Sequence, residues 1–254
     1  MGELNGLYAI WYREFKIFVR ERSRLVSALI QPLVWLIIFG SGLGASIELG
    51  SAAPGVGYQQ FIYPGILVMT ILFGSLFFGL YIIMDKRVDF LKEVLVAPLS
   101  RTTIFFGKVL GGATDGTIEV ITLMILGALF FGINFTIYSA IMTLAIIGLL
   151  MVSIVSLGLI FGSMMESLEG FGLITSFVIF PLFFLSGALF PVKNLPGWLY
   201  AFVAVNPVSY AVDALRTVIL GIGSFGLPLD FGVLITFAIA MILIGTWSFK
   251  RMKL

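Results

Sequence analysis

Six long stretches of apolar residues, separated by short polar segments, make up most of the chain. A helix needs roughly 20 mainly apolar residues to cross the hydrocarbon core of a bilayer. Six stretches reach about that length, at 25–45, 61–84, 104–131, 136–162, 171–190 and 231–249. They do not show the segments of about ten alternating residues that are typical of membrane barrels. The pattern therefore predicts an all-α integral membrane protein with six transmembrane helices.

The positive charges predict the orientation of these helices. All but two of the 15 Lys and Arg residues lie before the first stretch, around the segment between the second and third, or after the sixth; the exceptions are Lys193 and Arg216. Cytoplasmic loops collect Lys and Arg. We therefore expect a multi-pass protein of the cell membrane with both termini in the cytoplasm. The pI of 8.9 is then a signal of orientation, and no nucleic-acid partner is expected.

The composition excludes several kinds of chemistry. Hydrophobic residues make up 60% of the chain and charged residues 11%, against roughly a quarter charged in a soluble domain. There is no Cys and no His, which excludes disulfides, thiolate or imidazole metal sites and Ser-His-Asp catalysis. The phosphate-binding pattern GxxxxGK[ST] is also missing, since Thr102 stands where the first glycine would precede Gly107-Lys108. We predict no catalytic residue, no metal site and no cofactor bound by this chain.

Residues 1–24 predict an amphipathic helix. Its apolar and aromatic residues recur at helical spacing, while Arg13, Lys16 and Arg20 lie on other faces; the stripe comprises Leu4, Leu7, Tyr8, Trp11, Phe15, Phe18, Val19 and Arg22. A helix of this kind lies along a membrane surface. We expect an elbow helix that lies flat and then turns into the first transmembrane helix. A simple positively charged anchor is the alternative.

The segment between the second and third stretches, 86–101, predicts a second amphipathic helix. Val88, Leu91, Val94 and Leu95 form an apolar stripe at a spacing of three and four residues. Pro98 should end the helix, because the residue before a proline is pushed out of the helical region. A short helix should therefore project on the cytoplasmic side. An ordinary solvated surface helix remains the alternative.

Three motifs in this chain resemble those of the membrane subunits of type-2 ATP-binding-cassette exporters. The first is FLKEVLVAPLSR at 90–101, followed by Gly107-Lys108. The second is LSGALFP at 185–191 with LPGWL at 195–199, and the third is NPVSY at 206–210 with DALR at 213–216. The family often has Glu-Phe-Gly where this chain has Arg87-Val88-Asp89, so the charge of the matching partner surface is expected to differ.

The resemblance implies a division of labour between subunits. The helix after the second span would be a coupling helix that docks on a separate ATPase, which would bind ATP and Mg. Its docking face would consist of Asp89, Phe90, Leu91, Lys92, Glu93, Val94 and Leu95, with Pro98 forming the turn into the third span. Two permease chains, expected to be identical, and two ATPases would form the transporter. The whole chain, 1–254, would be one permease domain of the drug-export branch, moving hydrophobic or amphipathic, drug- or lipid-like molecules outward.

The segment 191–222 predicts a broken, re-entrant hairpin on the outer face. Its two apolar runs are each too short to span, and Asn206-Pro207 separates them. Asp213 and Arg216 are three residues apart, so a local ion pair is expected. The resemblance makes this region an outer gate formed by Trp198, Asn206, Pro207, Tyr210, Asp213 and Arg216.

Asp115 and Glu119 are the costliest residues of the third stretch. They lie roughly 10 and 16 Å beyond Lys108 along a helix, and a carboxylate at the membrane centre costs on the order of 3 kcal/mol. Both should therefore face protein or water. They could contact neighbouring helices or relay protons or ions, so a proton- or ion-coupled secondary carrier is the alternative function. Such carriers commonly contain an inverted repeat, and we find none. An intramembrane enzyme is a third, weaker alternative.

Several glycine pairs are spaced four residues apart, including Gly107 with Gly111 and Gly158 with Gly162. Pairs at this spacing allow helices to approach closely. The sequence therefore predicts tight helix packing, although it does not indicate which helices meet.

Overall fold

The computed structural model describes residues 2–42, 44, 55–88, 99–193 and 195–252. Within these ranges the chain forms nine helices and no strand, which confirms the all-α prediction for the part described. The helices are α1 Glu3–Arg20, α2 Arg22–Gly42, α3 Tyr58–Arg87, α4 Arg101–Phe130, α5 Ile137–Met164, α6 Leu168–Phe184, α7 Gly197–Val205, α8 Pro207–Leu220 and α9 Leu227–Arg251. Of the predicted coupling-helix segment 86–101, residues 89–98 lie outside the described residues.

Among the described helices, four are long and apolar enough to cross a membrane. These are α3, α4, α5 and α9, and the bent pair α7–α8 would bring the number to five if it counts as one span. The apolar part of α2, Val26–Gly42, and the whole of α6 are shorter than 18 residues. The chain is therefore an integral membrane protein. The predicted total of six spans stays a prediction.

Helix α3 lies at the centre of the bundle. It packs against α2, α4, α5, α6 and α8, and nearly all of its first half is buried. Where it crosses α5, Gly79 lies against the backbones of Gly158 and Gly162. A Cβ atom at Gly79 or at Gly162 would overlap the opposite backbone, so glycine is required at these two positions for this close approach.

The outward faces of several helices expose large apolar side chains. On α9, Ile239, Leu243 and Trp247 are all exposed, while Leu234 and Phe249 are buried against the bundle. In water such a surface would be unfavourable. In a membrane such a surface is favourable, which agrees with the class predicted from composition.

The α7–α8 pair is bent by 88° between Val205 and Pro207. Asn206 begins α8, because its side-chain oxygen accepts the N–H of Val208 at 3.0 Å and Pro207 occupies the first turn. Proline suits that position, since its missing N–H would have no helical partner there. The predicted break at Asn206-Pro207 is therefore present, and the re-entrant hairpin stays a prediction. The location of the two short helices on the outer face also stays a prediction.

Candidate functional site

Helix α1, which the sequence predicts to be an elbow helix, lies against α4 through a stripe of residues spaced four apart. Gly6, Ile10, Glu14 and Phe18 are buried, whereas Leu4, Tyr8 and Val19 are exposed. The predicted apolar stripe is therefore divided: Phe18 packs on the protein, and much of the rest is directed outward. This arrangement leaves an apolar surface on α1 that suits a membrane interface.

Two glycines of α4 allow α1 to approach closely. A Cβ atom at Gly107 would lie 2.8 Å from Cβ of Ile10, and one at Gly111 would lie 2.6 Å from Cβ of Glu14. Real Cβ atoms do not approach so closely, so any larger residue would push the helices apart. One of the predicted glycine pairs thus serves to seat the elbow helix.

A cluster of four charged side chains joins α1 to α3 and α4. Lys108 Nζ lies 2.9 Å from Glu14 Oε1 and 2.9 Å from Asp85 Oδ2. Arg13 Nη1 lies 2.9 Å from Glu14 Oε1, and its Nη2 lies 2.8 Å from Asp85 Oδ1. Each carboxylate is therefore bonded to both bases. We call these four residues the elbow cluster.

Burial makes the elbow cluster energetically demanding. Glu14, Asp85 and Lys108 are buried, and only Arg13 keeps substantial exposure, with 33% of its side chain accessible. Removing a charge from water costs several kcal/mol, which is compensated only when partners are close and well oriented. Here two acids and two bases balance, so the cluster carries no net charge while it links three helices.

The first turn of α1 makes a second connection to α4. The Glu3 carboxylate accepts hydrogen bonds from the Thr103 hydroxyl and from the Ser100 backbone N–H, the latter at 3.1 Å. These bonds hold the pKa of Glu3 below its ordinary value. Ser100 is also the N-cap of α4, because its hydroxyl accepts the Thr103 N–H. Further along α1, Trp11 Nε1 donates to Thr114 Oγ1 at 2.9 Å.

These contacts surround both ends of the segment predicted to dock an ATPase. Asp85 lies in the last turn of α3, and Ser100 and Lys108 lie at the start of α4. The adjacent Lys86 donates to the carbonyls of Gly162 and Ser163, at 3.1 and 2.7 Å, at the end of α5. The last turn of α3 is thereby attached to α1, α4 and α5. The predicted docking residues fall outside the described part of the chain: Asp89, Phe90, Leu91, Lys92, Glu93, Val94, Leu95 and Pro98.

A cavity of about 510 Å³ lies between α2 and α3 and reaches Glu119 of α4. Glu119 is buried, as expected, and Gly74 opposite it provides room, because a Cβ atom there would lie 3.1 Å from Glu119 Oε2. At the other end, Tyr81 donates to the Glu21 carboxylate at 2.9 Å. Asp115 is also buried but does not line this cavity. The two carboxylates of the third stretch are therefore in different surroundings.

The ion pair expected between Asp213 and Arg216 does not form. Asp213 instead accepts the backbone N–H groups of Ser224 and Phe225, at 2.8 and 2.9 Å. Arg216 donates to the Gly187 carbonyl at 3.0 Å, and its guanidinium carbon lies 3.8 Å from the centre of the Phe61 ring. Asp213 and Arg216 therefore bond to backbone groups rather than to each other, and Arg216 also packs on an aromatic ring.

The predicted outer-gate residues do not all come together. Asn206 Nδ2 donates to the Leu182 carbonyl at 2.8 Å, and Tyr210 donates to the Ala204 carbonyl at 2.7 Å. Both therefore hold the bend that Pro207 begins. Trp198 is 67% exposed on α7. The role of this group as a gate stays a prediction.

Sequence reasoning missed the elbow cluster. The sequence places Arg13 on the polar side of the first helix and Lys108 in a family motif, counts both as signals of orientation, and indicates no role for Glu14 or Asp85. One signal was present: Glu14 shares the four-residue spacing of Gly6, Ile10 and Phe18, which places a carboxylate on a face of small and apolar residues. Within the described residues, no group of three acidic side chains is placed to hold a metal ion.

Comparison with known proteins shows which family this chain matches. Residues 5–220 match the family described as ABC-2 type transporter. The inner membrane transport permease YadH of Escherichia coli strain K12 is 30% identical over 250 residues, covering 96% of this chain and 93% of that protein. The putative transport permease ycf38 of Cyanophora paradoxa is 32% identical over 215 residues, covering 84% and 73%. Nodulation protein J of Rhizobium leguminosarum bv. viciae is 25% identical over 254 residues, covering 98% and 95%.

Proposed function

Because the chain belongs to the ABC-2 type transporter family, we propose that this transport permease subunit works in an ATP-driven exporter. Its cargo would be hydrophobic or amphipathic, drug- or lipid-like molecules taken from the cytoplasm or the inner leaflet. Two identical permease chains would assemble with two ATPase subunits, which bind the ATP and Mg. Both termini would lie in the cytoplasm.

The observation that carries this proposal is the elbow cluster. Asp85 and Lys108 lie on either side of the segment 89–98 and are bonded to each other. Asp85 is also bonded to Arg13 of α1, and Lys108 to Glu14 of the same helix. A displacement of that segment therefore has to move α1, α3 and α4 together or break buried ion pairs. An ATPase that pulls on the segment would have a stiff connection to the spans.

One residue of the predicted apolar stripe lies in the described part of the chain, and its exposure agrees with a partner surface. Val88 directly follows α3 and is 72% exposed. The predicted stripe continues with Leu91 and Val94. An apolar stripe that is exposed outside the spans is favourable only when another surface covers it. The proposed partner is the cleft of the ATPase.

Co-reconstitution tests the proposal. The permease and its ATPase are placed in inside-out vesicles, and uptake of a fluorescent amphipathic dye is measured with and without ATP. Uptake should require ATP hydrolysis and should persist when a protonophore collapses the pH gradient. Uptake driven by a pH gradient without ATP would instead establish the secondary carrier using Asp115 and Glu119.

A matched pair of variants tests the docking face. Leu91→Glu should abolish co-purification of the ATPase, because a charge would enter an apolar contact, while membrane insertion is unaffected. Lys250→Ser, at an exposed position in the last turn of α9 and outside the docking face, should retain the ATPase. Full ATPase capture by Leu91→Glu would contradict the assignment of the stripe.

Single cysteines test the orientation, since the natural sequence has none. Lys193→Cys should react with a membrane-impermeant maleimide applied to intact cells, whereas Lys92→Cys should react only after the membrane is opened. Labelling of Lys92→Cys from outside would place the docking segment beyond the reach of any cytoplasmic ATPase.

A further inference from the structure

The cavity between α2 and α3 has the size and position of a small-molecule site. Its volume of about 510 Å³ lies within the range of roughly 300–1,000 Å³ that is typical for ligand pockets. Along α3 it extends from Met84, in the last turns of the helix, to Met69. That distance is about 22 Å at 1.5 Å per residue, so the cavity reaches from the elbow end of the bundle towards its middle.

The apolar part of the lining suits a hydrophobic molecule. Phe73 and Phe77 contribute aromatic rings, and Met69, Leu80 and Met84 contribute flexible apolar side chains. Such a surface binds large apolar groups mainly by removing them from water. Methionine side chains also adapt to ligands of different shape. The lining therefore indicates affinity for a hydrophobic body without strict selection of its outline.

The charged side chains that line the cavity, among the described residues, are all negative. Among the described residues that line the cavity, Glu21 and Glu119 are acidic, and no lysine or arginine is present. Glu21 lies at the elbow end, where Tyr81 donates to it, and Glu119 lies deeper and is only 3% exposed. Carboxylates in a region of low dielectric attract cations more strongly than they would in water, and they repel anions.

From these observations we propose that the cavity binds amphipathic organic cations, with Glu119 as the residue that contacts the positive charge. Glu21, at the elbow end, meets the cation first, and the aromatic rings of Phe73 and Phe77 then cover its apolar body. A cation also interacts favourably with the face of an aromatic ring. This assignment rests on the proposed transport function, because it names the cargo that the same bundle would carry.

Two ions of the same shape and opposite charge test the proposal. The full-length protein in nanodiscs is dialysed against radiolabelled tetraphenylphosphonium or tetraphenylborate, and binding to empty nanodiscs is subtracted. Tetraphenylphosphonium should bind saturably, and tetraphenylborate should not. Glu119→Gln should weaken tetraphenylphosphonium binding at least tenfold, while Glu119→Asp, which keeps the charge, should restore most of it.

A matched control separates the cavity from a general loss of charge. Asp230 is a buried carboxylate on α9 that does not line the cavity, so Asp230→Asn should leave the affinity within twofold of the unchanged protein. Gel filtration confirms that each variant is folded. Equal binding by Glu119→Gln and the unchanged protein, or equal saturable binding of the two ions, would overturn the proposal.

The binding assay uses no ATP, so its failure is distinct from failure of the proposed function. ATP-driven uptake of a neutral dye without any tetraphenylphosphonium binding would refute the cation site and leave the exporter intact. Binding that depends on Glu119, without ATP-driven uptake of any probe, would support the site and refute the exporter.

Discussion

Replacing Lys108 with methionine is expected to destabilise the protein through the elbow cluster. Lys108 is 3% exposed and makes 2.9 Å contacts with both Glu14 and Asp85. Its removal changes the charge of the cluster from zero to −1. Arg13 would be the remaining base, among the described residues, bonded to the two carboxylates.

The size of the effect follows from burial. Removing one partner of a buried ion pair typically costs about 3–5 kcal/mol, because an uncompensated charge is left behind. Arg13 stays bonded and is partly exposed, so the lower end, about 3 kcal/mol, is expected. At roughly 2–4 °C per kcal/mol for a chain of this size, the unfolding temperature should fall by about 6–12 °C.

Thermal unfolding of the purified protein in detergent measures this change, with two further variants beside it. Lys16→Met removes an exposed lysine of α1 that is not part of the elbow cluster and should shift the stability by less than about 0.5 kcal/mol. The double change Lys108→Met with Glu14→Gln leaves Arg13 and Asp85 balanced, so it should be more stable than Lys108→Met alone.

Two results would refute the reasoning about the elbow cluster. One is an unfolding temperature for Lys108→Met equal to that of Lys16→Met. The other is a double variant whose destabilisation equals the sum of the two single changes, since residues that share one charge balance should not be additive. Either result would show that the four charges do not act as a unit.

Three further predictions concern other contacts. Gly111→Val should displace the elbow helix and abolish ATP-driven uptake, whereas Gly172→Ala, where a Cβ atom meets nothing within 4 Å, should keep full uptake. Asp213→Asn should destabilise the protein by about 1–3 kcal/mol in thermal unfolding, because the buried carboxylate accepts the backbone N–H groups of Ser224 and Phe225; a change below about 0.5 kcal/mol would contradict this. Because the pKa of Glu3 is lowered from 4.5, its contribution to stability is present above that pH and is lost as the pH falls through the lowered value; amide protection at the start of α4, corrected for the intrinsic pH dependence of exchange, should therefore decrease as the pH falls below 4.5, and unchanged protection in Glu3→Gln at neutral pH would refute this.

The sequence alone determined the class of this protein and much of its local structure. Long apolar runs can satisfy their backbone groups in a membrane only as helices or barrels, so composition and run length sufficed for the all-α prediction. The bend at Asn206-Pro207 was equally readable, because the cap and the missing N–H of proline act locally. The family resemblance also depended on contiguous motifs.

Only the tertiary structure decided which side chains meet. Glu14, Asp85 and Lys108 are separated by many residues, and no local periodicity pairs them. For Arg216, spacing suggests Asp213 as the ion-pair partner. In the structure Arg216 instead donates to the Gly187 carbonyl and packs on the ring of Phe61. A buried charge must bond to the groups that helix packing brings within about 3 Å of it. Helix packing depends on the whole bundle, so these partners cannot be read from neighbours in the sequence.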